Sequence, residues 1–332
     1  MATRWGIASA GKISSDFVTA MKAQKDDHRV VAVGARSLAD AQAFAKKYGA
    51  EKSYGSYEEL SKDPDVEIVY IGTIHPFHLP VAKLMINAGK HVLCEKPLCM
   101  NVKETKELVV LARQKKVFLM EAVWSRFFPV YKEMMKRINA GEIGEVVQVF
   151  CSFGHPLENI QRAVKKELGG GATLDLGVYC VQFASLVMGG ERPEKVVAAG
   201  HQNEEGVDAT TSATLIYSKG RVATLNCSIR CELPCEGIVI GTKGTLKVSH
   251  PVWSPVHMET PSGSFDSPLP DLGHSYNFKH GQGMMYEAAE VRRCLQEGLL
   301  ESPTITLEET LILAEIMESM RKQVGVAYPQ DA

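Results

Sequence analysis

Residues 5–121 alternate short apolar runs with helical periods, and this alternation constrains the fold more than any other feature. Residues 5–8, 30–34, 66–71, 91–94 and 117–121 each read as a buried strand. Between them, Ile13, Phe17, Ala20 and Met21 recur at helical spacing, and residues 38–48 form a helix stopped by Gly49. Ser56 to Leu60 has the capping-box form that starts another helix, and Asn101 and Glu104 cap one running to about Lys116. Such a chain packs as an α/β, doubly wound parallel sheet covered on both faces. We place this first domain at residues 1–122.

From residue 145 the pattern changes. Residues 145–154 read as a strand and 172–188 as a helix; strands then follow at 195–200, 209–217, 221–230, 236–241 and 245–249. Turns such as Ser218-Lys219-Gly220 and Thr242-Lys243-Gly244 link them as hairpins. Residues 123–332 are thus expected to form an α+β domain with a largely antiparallel open sheet, closed by helices at 283–297 and 307–324. Residues 250–281 carry Trp253, His257, Phe265, His274, Tyr276 and Phe278 among prolines, which suits either a local core or an apolar wall over a flat substrate.

Composition narrows the function. The 37 basic and 39 acidic residues nearly cancel, so neither nucleic acid nor a membrane surface is expected as a partner. No stretch reads as apolar for the length of a bilayer span, and the N-terminal residues run directly into a strand without a leader. Eight cysteines scattered through apolar segments suit reduced thiols and a cytoplasmic location. Cys227, Cys231 and Cys235 step equally along a strand-rich region with no histidine close in sequence, so no metal site is expected.

A ligand edge can be read from the strand ends. Ser9-Ala10-Gly11-Lys12-Ile13-Ser14 occupies the place of the glycine-rich dinucleotide turn, although only the middle glycine of G-x-G-x-x-G is kept. After the next strand stands Ala35-Arg36-Ser37, where an acidic residue would select NAD. Arg36 and Ser37 instead favour the extra phosphate of NADP; a solvated arginine is the alternative, with Asp40 nearby. Tyr70, Thr73 and His78 are candidates to touch the cofactor from the third strand and its loop, His78 equally as a structural helix-start residue.

Chemistry is suggested by two distant segments, Glu95-Lys96-Pro97 at a strand end and Asp175 to Tyr179 opening a helix behind Gly169-Gly170-Gly171. The glycines read as a turn whose backbone approaches a ligand. A phenol titrates near pH 10 in isolation, and a neighbouring ammonium favours its ionised form. Lys96 and Tyr179 together are therefore a plausible proton acceptor for an alcohol that loses a hydride, with either as the acid/base. Asp175, four residues before Tyr179 on one helical face, would orient the substrate. The Lys96-Pro97 bond is a candidate cis peptide.

These residues resemble the glucose–fructose oxidoreductase and inositol dehydrogenase family of two-domain, nicotinamide-dependent enzymes. The matching segments are residues 6–14, 73–78, 88–97 and 169–179, and the resemblance covers essentially the whole chain. Most of the family carries histidine where this chain has Tyr179; that departure points to a branch oxidising cyclic diols and aldopentoses. The resemblance implies NADP bound by Ser9, Gly11, Ile13, Arg36, Ser37, Tyr70, Thr73, His78, Glu95 and Lys96. It implies a cyclic diol or pentose as the small-molecule substrate, lined by Asp175, Trp124, Phe153, Trp253 and Phe278. The reaction is then oxidation of trans-dihydrodiols to catechols, or of D-xylose to a lactone, with no metal needed. A homodimer through the C-terminal sheet is also implied. Another sugar or inositol dehydrogenase, and a non-catalytic NADP-binding regulator, are the alternatives.

Overall fold

The apolar runs of the N-terminal region become parallel strands because each is apolar on both faces and each connection holds a helix. The computed structural model describes all 332 residues. Its strands β1 (Thr3–Ala8), β2 (His28–Gly34), β3 (Lys52–Tyr54), β4 (Ile68–Ile71), β5 (His91–Glu95) and β6 (Leu119–Ala122) form one sheet in the order β3-β2-β1-β4-β5-β6. Every pairing is parallel. The order reverses at β1, which puts the carboxyl ends of β1 and β4 at a topological switch point where ligands bind in open α/β sheets. Ile7, Val33, Ile71, Leu93 and Met120 are fully shielded in this sheet. Strand β3 was not expected: Lys-Ser-Tyr is short and only half-buried, so it carries no apolar signal.

The chain divides into two compact units, and the division differs from a single cut at residue 122. The first unit holds Met1–Cys99 and Glu104–Trp124, and Leu269–Leu307 returns to it. The reason lies in the helix Met284–Gln296: Arg292 donates to the Met1 carbonyl at 2.9 Å and pairs with Asp27 at 3.1 Å. The fully buried Asp16 also accepts from the Asn277 and Phe278 amides, both at 2.9 Å.

The second unit comprises Met100–Lys103, Ser125–Pro268 and Glu308–Ala332. Its strands are β7 (Val146–Gly154), β8 (Lys195–Gln202), β9 (Asp208–Ile216), β10 (Val222–Ser228), β11 (Gly237–Gly241), β12 (Gly244–Val248), β13 (His257–Thr260) and β14 (Gly263–Asp266), in the order β14-β13-β12-β11-β7-β10-β9-β8. Only β7 and β10 run parallel. The hairpin of β13 and β14 replaces part of the loop expected at 250–281; its strands are only four residues each and largely polar. Along β7, Val149, Cys151 and Phe153 are buried while Gln148, Phe150 and Ser152 between them are half-buried, the alternation of a sheet covered on one face.

The expectation of no bilayer-length apolar run needs correcting. Residues within Lys166–Val187 are apolar over that length, but 94 % of that apolar stretch is buried inside the protein.

The C-terminal residues act as a clasp within the second unit. Arg321, fully buried, donates to both carboxylate oxygens of Asp331 at 2.7 and 2.6 Å, a bidentate pair of the strong kind. Asn101 donates to Asp331 and to the Gln330 carbonyl. The Tyr328 hydroxyl donates to the Gly170 carbonyl, so the closing segment reaches the glycine turn before Asp175.

Candidate active site

In the first unit β1 hands over to the helix Lys12–Met21 through Ser9, Ala10 and Gly11. Ser9 takes the glycine-like φ of 106°, and its hydroxyl accepts from the Gly11 amide at 3.3 Å. Gly11 is the N-cap, and no side chain caps that helix end. Tight packing of helix against strand, the task of the third glycine in the ideal fingerprint, has moved to the partner strand: a Cβ at Gly72 would stand 2.4 Å from the Ser14 hydroxyl. Arg36 is exposed at the end of β2, and the Ser37 hydroxyl accepts from the Asp40 amide at 3.4 Å as N-cap of the helix Leu38–Tyr48.

Several groups hold the turn at Glu95-Lys96-Pro97. The Lys96-Pro97 peptide is cis. Glu95 accepts from the Tyr70 hydroxyl at 2.6 Å and from the Lys96 amide at 3.3 Å. The Leu98 amide donates to Glu121 at 2.9 Å. His78 Nδ1 lies 2.8 Å from the Pro97 carbonyl and Nε2 3.0 Å from that of Thr73. Burial drives the His78 pKa down against these two carbonyls, so in the neutral ring one nitrogen donates and the other only faces its carbonyl. His78 thus braces the lysine turn. Tyr70 is also wholly buried, stacked on Phe17 at 4.0 Å, and its hydroxyl is engaged by Glu95.

Sequence reading missed Glu287. Its side chain is fully buried with no partner for either oxygen, and its pKa is raised well above the usual carboxylate range by burial and then by Glu95. No local pattern marks it; only the return of the helix Met284–Gln296 to the first unit brings it near Glu95.

In the second unit, Gly170 and Gly171 are required by the protein itself. A Cβ on Gly170 would meet the Ala163 carbonyl at 2.6 Å; one on Gly171, at φ 127°, would meet Asp208 at 2.5 Å. Both glycines make close approaches to the protein's own groups. Thr173–Gly177 then winds as a π-helix before the α-helix Val178–Val187, so the step from Asp175 to Tyr179 passes through a wider turn than the α-turn expected. Asp208 holds the start of this turn, accepting from the Thr173 amide at 2.7 Å and hydroxyl at 2.6 Å. Asp175 accepts from Arg162 at 2.7 Å, a partner the sequence did not suggest.

Tyr179 is nearly buried, its ring 5.5 Å from Phe153, which stacks on Trp253 at 4.2 Å and 4°. The Ser125 hydroxyl donates to the Trp253 carbonyl at 2.6 Å. Tyr179, Phe153 and Trp253 are thus brought together with Asp175 on the adjoining turn. Trp124 and Phe278 belong to the first unit, Trp124 buried and Phe278 half-buried behind Asp16.

The edge of the first sheet fits a dinucleotide. The helix after β1 begins without a side-chain cap, and the buried hydroxyls of Ser14 and Thr73 have no protein partner. Gly11, Ser9 and Ile13 would take the pyrophosphate, Arg36 and Ser37 the adenosine end, and Thr73 with Glu95 and Lys96 the nicotinamide end.

Comparison with known proteins agrees. Residues 3–123 match the model of an oxidoreductase family with an NAD-binding Rossmann fold, and residues 131–247 match the GFO/IDH/MocA C-terminal domain. The chain is 48 % identical to trans-1,2-dihydrobenzene-1,2-diol dehydrogenase of Danio rerio, covering 100 % of both chains. It is 45 % identical to the enzyme of that name from Homo sapiens, covering 100 % of this chain and 99 % of that one. Among solved structures it superposes on a 3-ketoreductase from Actinomadura kijaniata, in complex with NADP and TDP-benzene, with a TM-score of 0.83 at 25 % identity, covering 97 % of this chain and 98 % of that one. The chain belongs to the GFO/IDH/MocA family of NAD(P)-dependent oxidoreductases, in company with the dihydrodiol dehydrogenases.

Proposed function

We propose that the protein oxidises trans-dihydrodiols of aromatic hydrocarbons to catechols, and D-xylose and related aldoses to lactones, with NADP. The observation that carries this reading is Tyr179 beside the stacked Phe153–Trp253 pair, in a chain that keeps the Glu95-Lys96-Pro97 strand end. Flat aromatic faces suit a flat ring.

Tyr179 accepts the proton of the substrate hydroxyl as the carbinol C–H bond breaks, and Lys96 stabilises the negative charge that develops on oxygen. Asp175, itself held by Arg162, accepts a hydrogen bond from a second substrate hydroxyl. Bound nicotinamide supplies the two-electron sink for the carbinol carbon. A hydroxyketone formed from a dihydrodiol then tautomerises to the catechol. NADP is favoured over NAD by Arg36 and by the absence of a carboxylate directly after β2.

A second reading, a sugar or inositol dehydrogenase, draws on the Asp175–Arg162 pair, a polar contact suited to several hydroxyls. We also infer a homodimer through the outer face of the eight-stranded sheet, where Val197 is 46 % exposed and Phe150 and Ile238 are half-buried, and a cytoplasmic location, which eight free cysteines suit. The test is product analysis with NADP as the oxidant. Catechol from benzene trans-dihydrodiol, and lactone from D-xylose, are expected; conversion of inositols alone would overturn the diol assignment.

A further inference from the structure

We propose that Glu232, Cys235 and His250 form a binding site for a borderline-soft divalent cation of the zinc class, behind the Phe153–Trp253 wall. One carboxylate oxygen, the thiol sulfur and one imidazole nitrogen all lie within 4.8 Å of one another. This mixed set of sulfur, nitrogen and oxygen is the donor set zinc takes, and it suits neither magnesium nor calcium. Zinc bonds of about 2.0–2.3 Å place tetrahedral ligands roughly 3.3–3.8 Å apart, so closing the site needs side-chain movements of about 1 Å.

The site is preassembled by the backbone. The Val252 amide donates to the Cys235 carbonyl at 2.9 Å, joining the segments that carry Cys235 and His250. The Leu233 amide donates to the Gly154 carbonyl at 3.3 Å, which also accepts from the Cys235 thiol at 3.3 Å. Cys235 holds a left-handed φ of 55°, and its side chain is buried while Glu232 and His250 are exposed. The cation thus has a fixed sulfur at the bottom and an open approach. His155 Nδ1 stands 2.9 Å from Glu232 and orients that carboxylate, as outer partners of metal ligands do.

The spacing of Cys227, Cys231 and Cys235 gave no reason to expect a metal site, and only Cys235 of the three belongs to this set. Cys227 is buried on β10, and Cys231 is exposed with its sulfur 3.6 Å from the Ser228 hydroxyl. The histidine that joins Cys235 comes from the turn after β12, out of reach of any local motif. Binding breaks the S–H bond: the proton passes to solvent, the thiolate pair forms the metal–sulfur bond, and the hydrogen bond to Gly154 is given up. His250 packs edge-on against Trp253, centroids 5.4 Å apart, so an occupied site also holds the aromatic wall.

The experiment is a titration of the full-length protein with Co²⁺, read by thiolate-to-cobalt charge-transfer absorption, followed by displacement with Zn²⁺. The expected result is one bound Co²⁺ with a thiolate band that Zn²⁺ removes. Cys235→Ser abolishes the band, Cys231→Ser leaves it, and His250→Asn or Glu232→Gln each weakens Co²⁺ binding at least about tenfold. The last two change exposed side chains, so they carry the test even if Cys235→Ser misfolds. No thiolate band, a band lost with Cys231→Ser, or binding unchanged in both exposed-residue variants would overturn the proposal.

Discussion

At the level of single residues, the turn after β1 replaces glycines by other means. Ser9 adopts the backbone a glycine would take, and Gly72 supplies from another strand the space that Ser14 fills. Gly11 and its place after an apolar strand were legible in the sequence; the compensation at Gly72 was not, because it pairs residues far apart in the chain. The proposed preference for NADP rests on Arg36. Replacing it with alanine should weaken NADP binding by roughly ten- to a hundredfold, the loss of one charge-assisted contact, and leave NAD binding nearly unchanged. Paired titrations followed by nucleotide fluorescence would check this. Gly171 is the opposite kind of residue, demanded by packing. Gly171→Ala combines a φ of 127° with contacts of 2.5 Å to Asp208 and 2.8 Å to Tyr328, so thermal or denaturant unfolding should report a loss of roughly 2–4 kcal/mol.

At the level of elements, the end of β5 is held by groups from several directions: Tyr70 on Glu95, His78 on Pro97 and Glu121 on Leu98. The strand, its ending and the cis bond could be anticipated from Glu95-Lys96-Pro97, whereas Glu287 could not, since nothing local distinguishes it from a surface glutamate. Its burial raises its pKa in the folded state, so that part of stability is fully present below the unfolded value near 4.5 and is lost as pH rises towards the folded value. Glu287→Gln keeps the shape of the neutral acid without that loss. It should match wild type in denaturant melts near pH 4 and exceed it above neutrality; equal stability at both ends would show that Glu287 is not a buried acid. The π-helix Thr173–Gly177 was likewise invisible, because its residues suit an α-helix equally well; the long-range grip of Asp208 on Thr173 acts on this turn.

For the whole molecule, both sheets were legible from periodicity, but the return of residues 269–307 to the first unit was not. That return depends on Arg292 and Asp16, two charged residues that sequence reading would leave in solvent. The same clamp shapes acid sensitivity. His28 accepts the Trp5 indole N–H at 3.1 Å, and burial, then Arg292, lowers its pKa to about 4, with Asp27 opposing. A depressed base stabilises the fold fully above the unfolded pKa of 6.5 and loses that contribution as pH falls towards 4, on the order of 3 kcal/mol. Wild type should therefore lose more Tm than His28→Asn between pH 7 and pH 4; parallel losses would refute this origin.

Nicotinamide reduction with benzene trans-dihydrodiol and D-xylose, in wild type and Tyr179→Phe with NADP binding measured alongside, decides whether Tyr179 carries the proton in an NADP-dependent oxidation. Turnover is expected in wild type, with a drop of about 10²–10⁴-fold in the variant and NADP affinity unchanged. Turnover retained in Tyr179→Phe with the same pH profile would contradict it.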